Sequence, residues 1–283
     1  MGKVIVEKKN IGSHNILYEI REEGKSNFVS DKSLVNPIIE DFKKRDINFP
    51  RVFGVPRSGS TLIRNILNTM FDGRVKVQSH NYFSVNNKDM VVTTYRDFRD
   101  CTISKWRMNT GGFDRDKDLV TVNWNSNGDN YHRENTVSFC AKALKGRVDS
   151  LNKFDKLYEN SDNGFDKNND GFMKTNRNIY FARYEQFHNN FDLILDHFEE
   201  FFEVTIVKDL RDFIQNTWNK GRIKRVYSDS ISAFSGYDKD TEIHGQHIYK
   251  GKVGTWKDIL QKEHHFSMNA AWKGELKHWG YEL

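Results

Sequence analysis

The apolar and polar positions of this chain alternate between short apolar runs and longer segments with a helical repeat. Short apolar runs typical of strands lie at residues 52–53, 74–80, 90–95 and 179–182. Apolar positions with the spacing of amphipathic helices lie at residues 33–44, 136–158 and 191–202. Strands that alternate with helices indicate a parallel sheet with helices on both faces. The pattern therefore predicts an α/β fold, with a central parallel sheet in a three-layer α/β/α arrangement.

Two parts of the chain depart from this alternation. Residues 4–6 and 16–20 resemble short strands that form a hairpin or add to a sheet edge, within an N-terminal extension that covers residues 1–45. Residues 109–178 are rich in Gly, Asp and Asn on either side of the helix predicted at 136–158. This composition predicts an irregular insertion and a surface loop.

The length and composition fit one soluble domain. At 283 residues the chain is long enough for one large α/β domain and too short for two equal ones, so we predict a single domain over residues 1–283. Hydrophobic residues make up 37% of the chain and the mean hydropathy is −0.77. No apolar run reaches membrane-spanning length, and the N-terminal residues lack the apolar core of a signal peptide. We therefore expect a cytoplasmic protein with no membrane span.

The charge of the chain narrows the choice of ligand. The net charge of +5 and the pI near 8.9 suit an anionic ligand. Basic residues are mixed with acidic ones and do not form a basic stripe with interleaved aromatics. We therefore expect no nucleic-acid partner.

Metal and disulfide chemistry is not indicated. Cys101 and Cys140 are too few for a disulfide framework and lack metal-ligand spacing, so both are interpreted as buried free thiols. Residues 166–171 imitate the start of an EF-hand loop, but Arg177 stands where calcium needs a bidentate glutamate. We expect no metal site.

The strongest chemical signal is the segment of residues 54–61, Gly-Val-Pro-Arg-Ser-Gly-Ser-Thr, which has the glycine spacing of a phosphate-binding loop. It joins a strand-like run to residues 62–67, whose spacing is helical, so unpaired backbone N–H groups and the positive end of a helix dipole face the loop. Ser60 occupies the position of the Walker A lysine, and Arg57 supplies the positive charge instead. The segment predicts a phosphate site that does not suit a nucleoside triphosphatase. A Gly/Ser turn is the alternative.

Further polar residues follow the next predicted strands. His80 ends the second strand, Arg96 ends the third, and Ser104 lies two helical turns on if a helix begins near Asp97. Ligands of open parallel sheets bind beyond the carboxyl ends of the strands, so these side chains are expected beside the phosphate loop. An arginine with a hydroxyl suits a second phosphate, and a histidine suits proton transfer. A local ion pair of Arg96 and a structural His80 are the alternatives.

Four segments in this order resemble the sulfotransferases that use 3′-phosphoadenosine 5′-phosphosulfate (PAPS) and release 3′,5′-adenosine bisphosphate (PAP). They are residues 56–61, the pair Arg96 and Ser104, residues 182–187 and residues 249–257. Residues 183–185, Arg-Tyr-Glu, look like the family's strand end whose tyrosine approaches the adenine. Residues 249–257 look like the family's segment that closes over the nucleotide.

The resemblance implies an enzyme that moves a sulfuryl group from PAPS to a hydroxyl of an organic acceptor without a metal. His80 would be the general base, and Arg57 would stabilise the charge that develops on the leaving phosphate. The residues implied to bind PAPS are Arg57, Ser58, Gly59, Ser60, Thr61, Arg96, Ser104, Tyr184, Lys250 and Gly251.

The chain also departs from the family pattern. Leu62 stands where many members carry a tryptophan that stacks on adenine, Tyr249 replaces an arginine for the 3′-phosphate, and Thr255 replaces an aspartate. Lys252 is a further candidate to meet the 3′-phosphate. Two alternatives to a sulfotransferase stay open, namely a P-loop kinase-like phosphoryl transferase and a noncatalytic homologue that binds PAP or PAPS.

The acceptor is not specified by the sequence. Tyr82, Phe83 and Trp106 either line an apolar pocket or belong to the core, and the polar insertion suits a glycan equally well. The expected partner is therefore a small-molecule or glycan hydroxyl acceptor. The sequence carries no signal for the oligomeric state.

Overall fold

The computed structural model describes residues 4–10, 16–22, 31–75, 78–110, 122–125, 136–159, 178–223, 242–243 and 252–283. Strands β1 (Val4–Asn10) and β2 (Ile16–Glu22) pair antiparallel as a two-stranded sheet separate from the central one. Of the two arrangements predicted for the N-terminus, this pairing corresponds to the hairpin and not to an added edge strand.

Within the described residues, the central sheet has four parallel strands. They are β3 (Arg51–Gly54), β4 (Gln78–Ser79), β5 (Val91–Tyr95) and β6 (Ile179–Arg183). Their order across the sheet is β4-β3-β5-β6, so the chain first adds β4 on one side of β3 and then crosses to the other side. The strand order thus reverses beside β3, which is the place where ligands of open α/β sheets bind.

Helices cover both faces of this sheet. The helices are α1 (Asn36–Lys44), α2 (Ser60–Met70), α3 (Phe98–Thr110), α4 (Val137–Glu159), α5 (Tyr184–Phe187), α6 (Phe191–Phe202), α7 (Lys208–Trp218), α8 (Lys220–Ile223), α9 (Thr255–Ile259) and α10 (His265–His278). Successive side chains of a strand point to opposite faces. Val52 and Val92 pack with α1, α2, α6 and α7, whereas Phe53 and Val91 pack with α3, α4 and α10. The three-layer α/β/α arrangement predicted from the sequence is confirmed.

Two element boundaries differ from the sequence prediction. The predicted helix at 33–44 begins at Asn36, after a 3₁₀ turn at Lys32–Leu34, with Pro37 in its first turn, where a residue without an N–H is tolerated. The predicted strand at 74–80 is described only as Gln78–Ser79, and residues 74 and 75 are not strand. The described residues of this edge strand pair with Val52 and Phe53.

The two cysteines and several aromatics of α6 are buried. Cys101 and Cys140 are buried free thiols, as predicted. The aromatics of α6 are core residues, because Phe198, Phe201 and Phe202 are each at most 3% exposed.

The EF-hand-like residues 166–171 lie outside the described residues. Among the helices described here, none is both long and apolar enough to cross a membrane.

Candidate active site

The four central strands end side by side, and the residues that follow them gather around one cavity. Residues 55–59 follow β3, His80 follows β4, Arg96 follows β5 and Tyr184 follows β6. The cavity has a volume of about 510 Å³ and is lined by residues from each of these strand ends. Predicted site residues from four distant parts of the described sequence therefore border the same cavity.

The loop that leaves β3 has a strained backbone. Arg57 and Gly59 both adopt the left-handed conformation, with φ of 74° and 86°. A Cβ atom on Gly59 would lie 2.8 Å from Cδ2 of Tyr184, so only glycine allows this close approach. The loop and the residue after β6 thus fit against each other with no room for a side chain between them.

The hydroxyls of the loop differ in their surroundings. Ser58 is fully buried, donates its backbone N–H to the Val55 carbonyl (3.0 Å) and hydrogen-bonds Thr94 through its hydroxyl. Ser60 and Thr61 begin α2 and line the cavity. The structure therefore gives the Ser58 side chain a supporting role within the loop, whereas Ser60 and Thr61 face the site.

Gln78 is a loop partner that the sequence reasoning missed. Its amide Nε2 lies 3.2 Å from the Ser60 hydroxyl and 3.3 Å from the Thr61 hydroxyl. No motif points to this residue, because the contact depends on the pairing of the edge strand β4 beside β3. Gln78 orients both hydroxyls at the start of α2.

Arg57 extends from the loop towards α3. Its Nε donates to the Ser104 hydroxyl at 2.9 Å, and both residues line the cavity. Burial, together with the nearby charge of Arg96, lowers the pKa of Arg57 to about 10. The guanidinium remains charged at neutral pH, and the desolvated site would gain from an anion. Ser104 is thus hydrogen-bonded to Arg57, and its predicted action with Arg96 on a second phosphate stays a prediction.

Arg96 is a buried cation at the centre of the site, 7% exposed. It contacts Asp100 at 3.2 Å, the Lys252 carbonyl at 2.7 Å and the face of the Tyr184 ring at 4.5 Å. Burial would lower the pKa of Arg96, but Asp100 and other acidic neighbours raise it. Among the described residues its buried Nε has no hydrogen-bond partner, a state that a bound phosphate oxygen would relieve. The predicted local ion pair is present, Arg96 also lines the cavity, and its role at a phosphate stays a prediction.

Asp100 connects α3 to the C-terminal segment. Its carboxylate accepts the backbone N–H groups of Gly254 at 2.8 Å and Trp256 at 3.0 Å, at the start of α9. Thr255, where the family pattern has an aspartate, lines the cavity. The predicted phosphate residues Lys250 and Gly251, with Tyr249, lie outside the described residues.

His80 stands at the opposite side of the loop from Arg96, next to the end of β3. Its Nδ1 lies 2.5 Å from the Gly54 carbonyl oxygen, and a carbonyl can only accept, so Nδ1 carries the proton. Burial lowers the pKa of His80 below 6.5, and the charges of Arg147, Lys105 and Arg57 lower it further. At neutral pH the ring is therefore neutral and keeps a basic Nε2.

Part of the cavity lining is an apolar wall. Leu62, Phe191, Trp218, Ile223 and Ile243 line it and pack with the core on the α2 face. The sequence reasoning did not find Trp218, because its position at the end of α7 resembles that of any core aromatic. An apolar surface beside Tyr184 suits a flat heterocycle.

The three aromatics predicted either to line an acceptor pocket or to belong to the core do not line the cavity. Trp106 is buried in the core, and the rings of Tyr82 and Phe83 pack against Phe154 at centroid distances of 4.9 and 5.1 Å. None of the three is among the residues that line the cavity. The core interpretation of these residues therefore fits the structure.

Comparisons with known proteins agree with this geometry at the level of the fold. No protein-family model matches the sequence, and no curated protein matches it. Mouse sulfotransferase SULT7A1 complexed with PAP matches with a TM-score of 0.52 and 12% identity, over 92% of this chain and 93% of that chain. Retinol dehydratase in complex with androsterone and the inactive cofactor PAP matches with a TM-score of 0.52 and 11% identity, over 86% and 88%. The chain has the sulfotransferase fold.

Proposed function

We propose that the protein is a sulfotransferase that transfers a sulfuryl group from PAPS to a hydroxyl of an organic acceptor. The observation that carries the proposal is the convergence of the phosphate loop, Arg96 and His80 on one cavity in a sulfotransferase fold. Two structural neighbours contain PAP, which is the form of the donor after transfer.

The residues of the cavity fit such a donor in three places. The start of α2, with Arg57, Ser60 and Thr61, would hold the 5′-phosphosulfate, because helix N–H groups and a desolvated cation favour an anion there. Arg96 would hold the 3′-phosphate, since its Nε lacks a partner among the described residues. Tyr184 and the apolar wall would hold the adenine, with Trp218 as the aromatic that Leu62 does not provide.

The transfer requires a proton acceptor and charge stabilisation. PAPS supplies the sulfuryl group, which passes to the acceptor oxygen as PAP is released. His80 would take the hydroxyl proton at Nε2, because its other nitrogen is fixed as a donor to the Gly54 carbonyl. Arg57 would stabilise the negative charge that develops on the 5′-phosphate, as its guanidinium stays protonated at neutral pH.

Ligand binding separates this proposal from a kinase-like activity. PAP at about one hundred times its Kd should add about 2.7 kcal/mol to the free energy of unfolding and raise the Tm by several degrees. Magnesium-ATP at the same concentration should raise it less. A larger shift with magnesium-ATP would contradict the proposal and favour phosphoryl transfer.

Three variants test the assignment of roles. Arg57→Ala and Arg96→Ala should each weaken PAP binding by roughly tenfold or more, as expected for charge-assisted hydrogen bonds of a buried cation. His80→Ala should leave PAP affinity nearly unchanged and lower turnover by roughly 10²–10⁴-fold.

Calorimetric PAP titration and transfer of radiolabelled sulfate from PAPS measure the two effects. Unchanged PAP affinity in both arginine variants would overturn the site assignment, and PAP binding without any transfer would favour a noncatalytic homologue.

A further inference from the structure

The cavity is lined by more cations than the two that are assigned to the PAPS donor. Five cationic side chains line it, namely Arg57, Arg96, Lys105, Arg107 and Arg147, against a single carboxylate, Asp100, among the lining residues that the structure describes. Arg57 and Arg96 are assigned to the two phosphate ends of the donor. Three of the five cations are therefore not assigned to either end of the donor.

Two of the remaining cations belong to the part of the cavity that holds His80. Lys105 follows Ser104 on α3, and Arg147 lies on the face of α4 that also presents Leu144 to the cavity. Arg147 donates to the side-chain carbonyl of Asn81, the residue after His80. The positive charges of Arg147 and Lys105 both act on the His80 ring, which is consistent with their lying close to it.

The described residues provide no carboxylate partner for either cation. Within the described part of the chain, no carboxylate forms an ion pair with Lys105 or Arg147, and the Asn81 amide that contacts Arg147 is neutral. By contrast Arg96 is paired with Asp100, and Lys145 on α4 is paired with Glu275. Two cations that have no carboxylate partner among the described residues lower the pKa of the neighbouring base, and an anionic ligand beside them would offset this effect.

Apolar side chains on the same two helices also line the cavity. Met108 lies one turn after Lys105 on α3, and Leu144 lies one turn before Arg147 on α4. A ligand that contacts this surface would therefore have an apolar or sugar-like body and a negative group at its edge.

We propose that the acceptor is a hydroxyl compound that carries an anionic group, a carboxylate or a sulfate, held by Lys105 and Arg147 while its hydroxyl faces His80. This inference rests on the proposed sulfotransferase function and adds the substrate class. Arginine offers a bidentate site for such an oxyanion, and the lysine ammonium supplies a second charge on the facing helix.

Matched acceptor pairs test the inference. The aryl pair is 4-hydroxyphenylacetate and its amide, and the sugar pair is a glucuronic-acid disaccharide and its glucose counterpart. Binding of each compound to the protein saturated with PAP is measured by calorimetry, and sulfate transfer from PAPS is measured in parallel. In at least one pair, the anionic member should bind and react at least about tenfold better than its neutral partner. The pair that responds distinguishes a small aryl acid from a glycan.

The variants Lys105→Gln and Arg147→Gln should each remove most of this preference and leave PAP affinity within about twofold. Lys142→Gln is the matched control, because Lys142 is an exposed lysine of α4 that does not line the cavity. Equal binding of the anionic and neutral members in both pairs would overturn the inference, whether or not transfer occurs. A large loss of PAP affinity in these variants would also overturn it, since the cations would then hold the donor. If the wild-type protein does not bind PAP, the proposed function itself fails.

Discussion

Gly59 brings the phosphate loop against Tyr184, the residue that follows β6. Its positive φ and its distance from Tyr184 are two separate constraints, and the chain contains a control for the first. Gly73 has a similar φ of 76°, yet an added Cβ there would meet nothing within 4 Å. Comparing the two glycines separates the backbone cost from the steric one.

We expect Gly73→Ala to lower the free energy of unfolding by about 1 kcal/mol, the cost of a left-handed alanine, and to leave PAP affinity unchanged. Gly59→Ala should add roughly 1–3 kcal/mol for overpacking against Tyr184 and should weaken PAP binding. Urea denaturation and PAP titration of both variants measure these effects. Equal destabilisation of the two variants would show that the Tyr184 contact relaxes at little cost.

His80 provides a pH test at the same scale. Its pKa lies below 6.5 because of burial and of the neighbouring cations, so kcat/KM should rise with pH through a value below 6.5 and stay flat above neutrality. A positive neighbour disfavours the protonated ring, so Arg147→Gln should move this acidic limb to higher pH. Lys142→Gln, which removes a charge away from the cavity, should leave the limb in place. A limb that does not move in Arg147→Gln would contradict a close Arg147–His80 pair.

At the level of elements, one carboxylate joins α3 to α9. Asp100 accepts two backbone N–H groups at the start of α9 and also pairs with Arg96, so a single side chain holds two parts of the cavity wall together. Burial raises the pKa of Asp100, and Arg96 counteracts this shift. The departure of Thr255 from the family pattern therefore does not leave the segment without support.

Asp100→Asn should loosen this connection. The amide keeps one acceptor but directs an N–H₂ group at backbone donors, so we expect a loss of about 1–3 kcal/mol in the free energy of unfolding. Hydrogen exchange at the amides of Gly254 and Trp256 should accelerate, and PAP affinity should fall. Asp258→Asn, at an exposed position of α9, is the control and should change none of these. Unchanged exchange in Asp100→Asn would mean that the core packing of Trp256 alone holds α9.

The elements were more predictable from the sequence than their contacts. Helix α6 begins and ends where its apolar repeat does, because that repeat reflects burial of one helix face. The strand predicted at 74–80 starts too early, since residues 74 and 75 are not strand. Apolar composition does not indicate how many residues of an edge strand are hydrogen-bonded to its neighbour. The sequence order of the strands likewise did not reveal the arrangement β4-β3-β5-β6, which depends on long-range pairing.

At the scale of the whole molecule, the candidate site was predictable where function requires a motif and unpredictable where packing alone creates a contact. The motif residues Arg57, His80, Arg96 and Tyr184 meet in one cavity because each follows a parallel strand. Trp218 and Arg147 reach the same cavity from helices on opposite faces of the sheet, and neither belongs to a recognisable pattern. Their positions required the tertiary structure.

Two features of the molecule could attract an anionic nucleotide, namely the net charge of +5 and the cations that line the cavity. Exposed charges act through solvent with a Debye length of about 10 Å at 0.1 M salt, whereas desolvated charges are screened much less. Arg57→Gln and Lys262→Gln each remove one positive charge, but Arg57 lines the cavity and Lys262 is exposed elsewhere. We therefore expect PAP affinity to fall by roughly tenfold or more in Arg57→Gln and by less than about twofold in Lys262→Gln. Calorimetric titrations at 50 and 500 mM salt measure both effects, and the difference between the two variants should persist at high salt. Similar losses in both variants, disappearing at high salt, would show instead that the overall charge attracts the nucleotide.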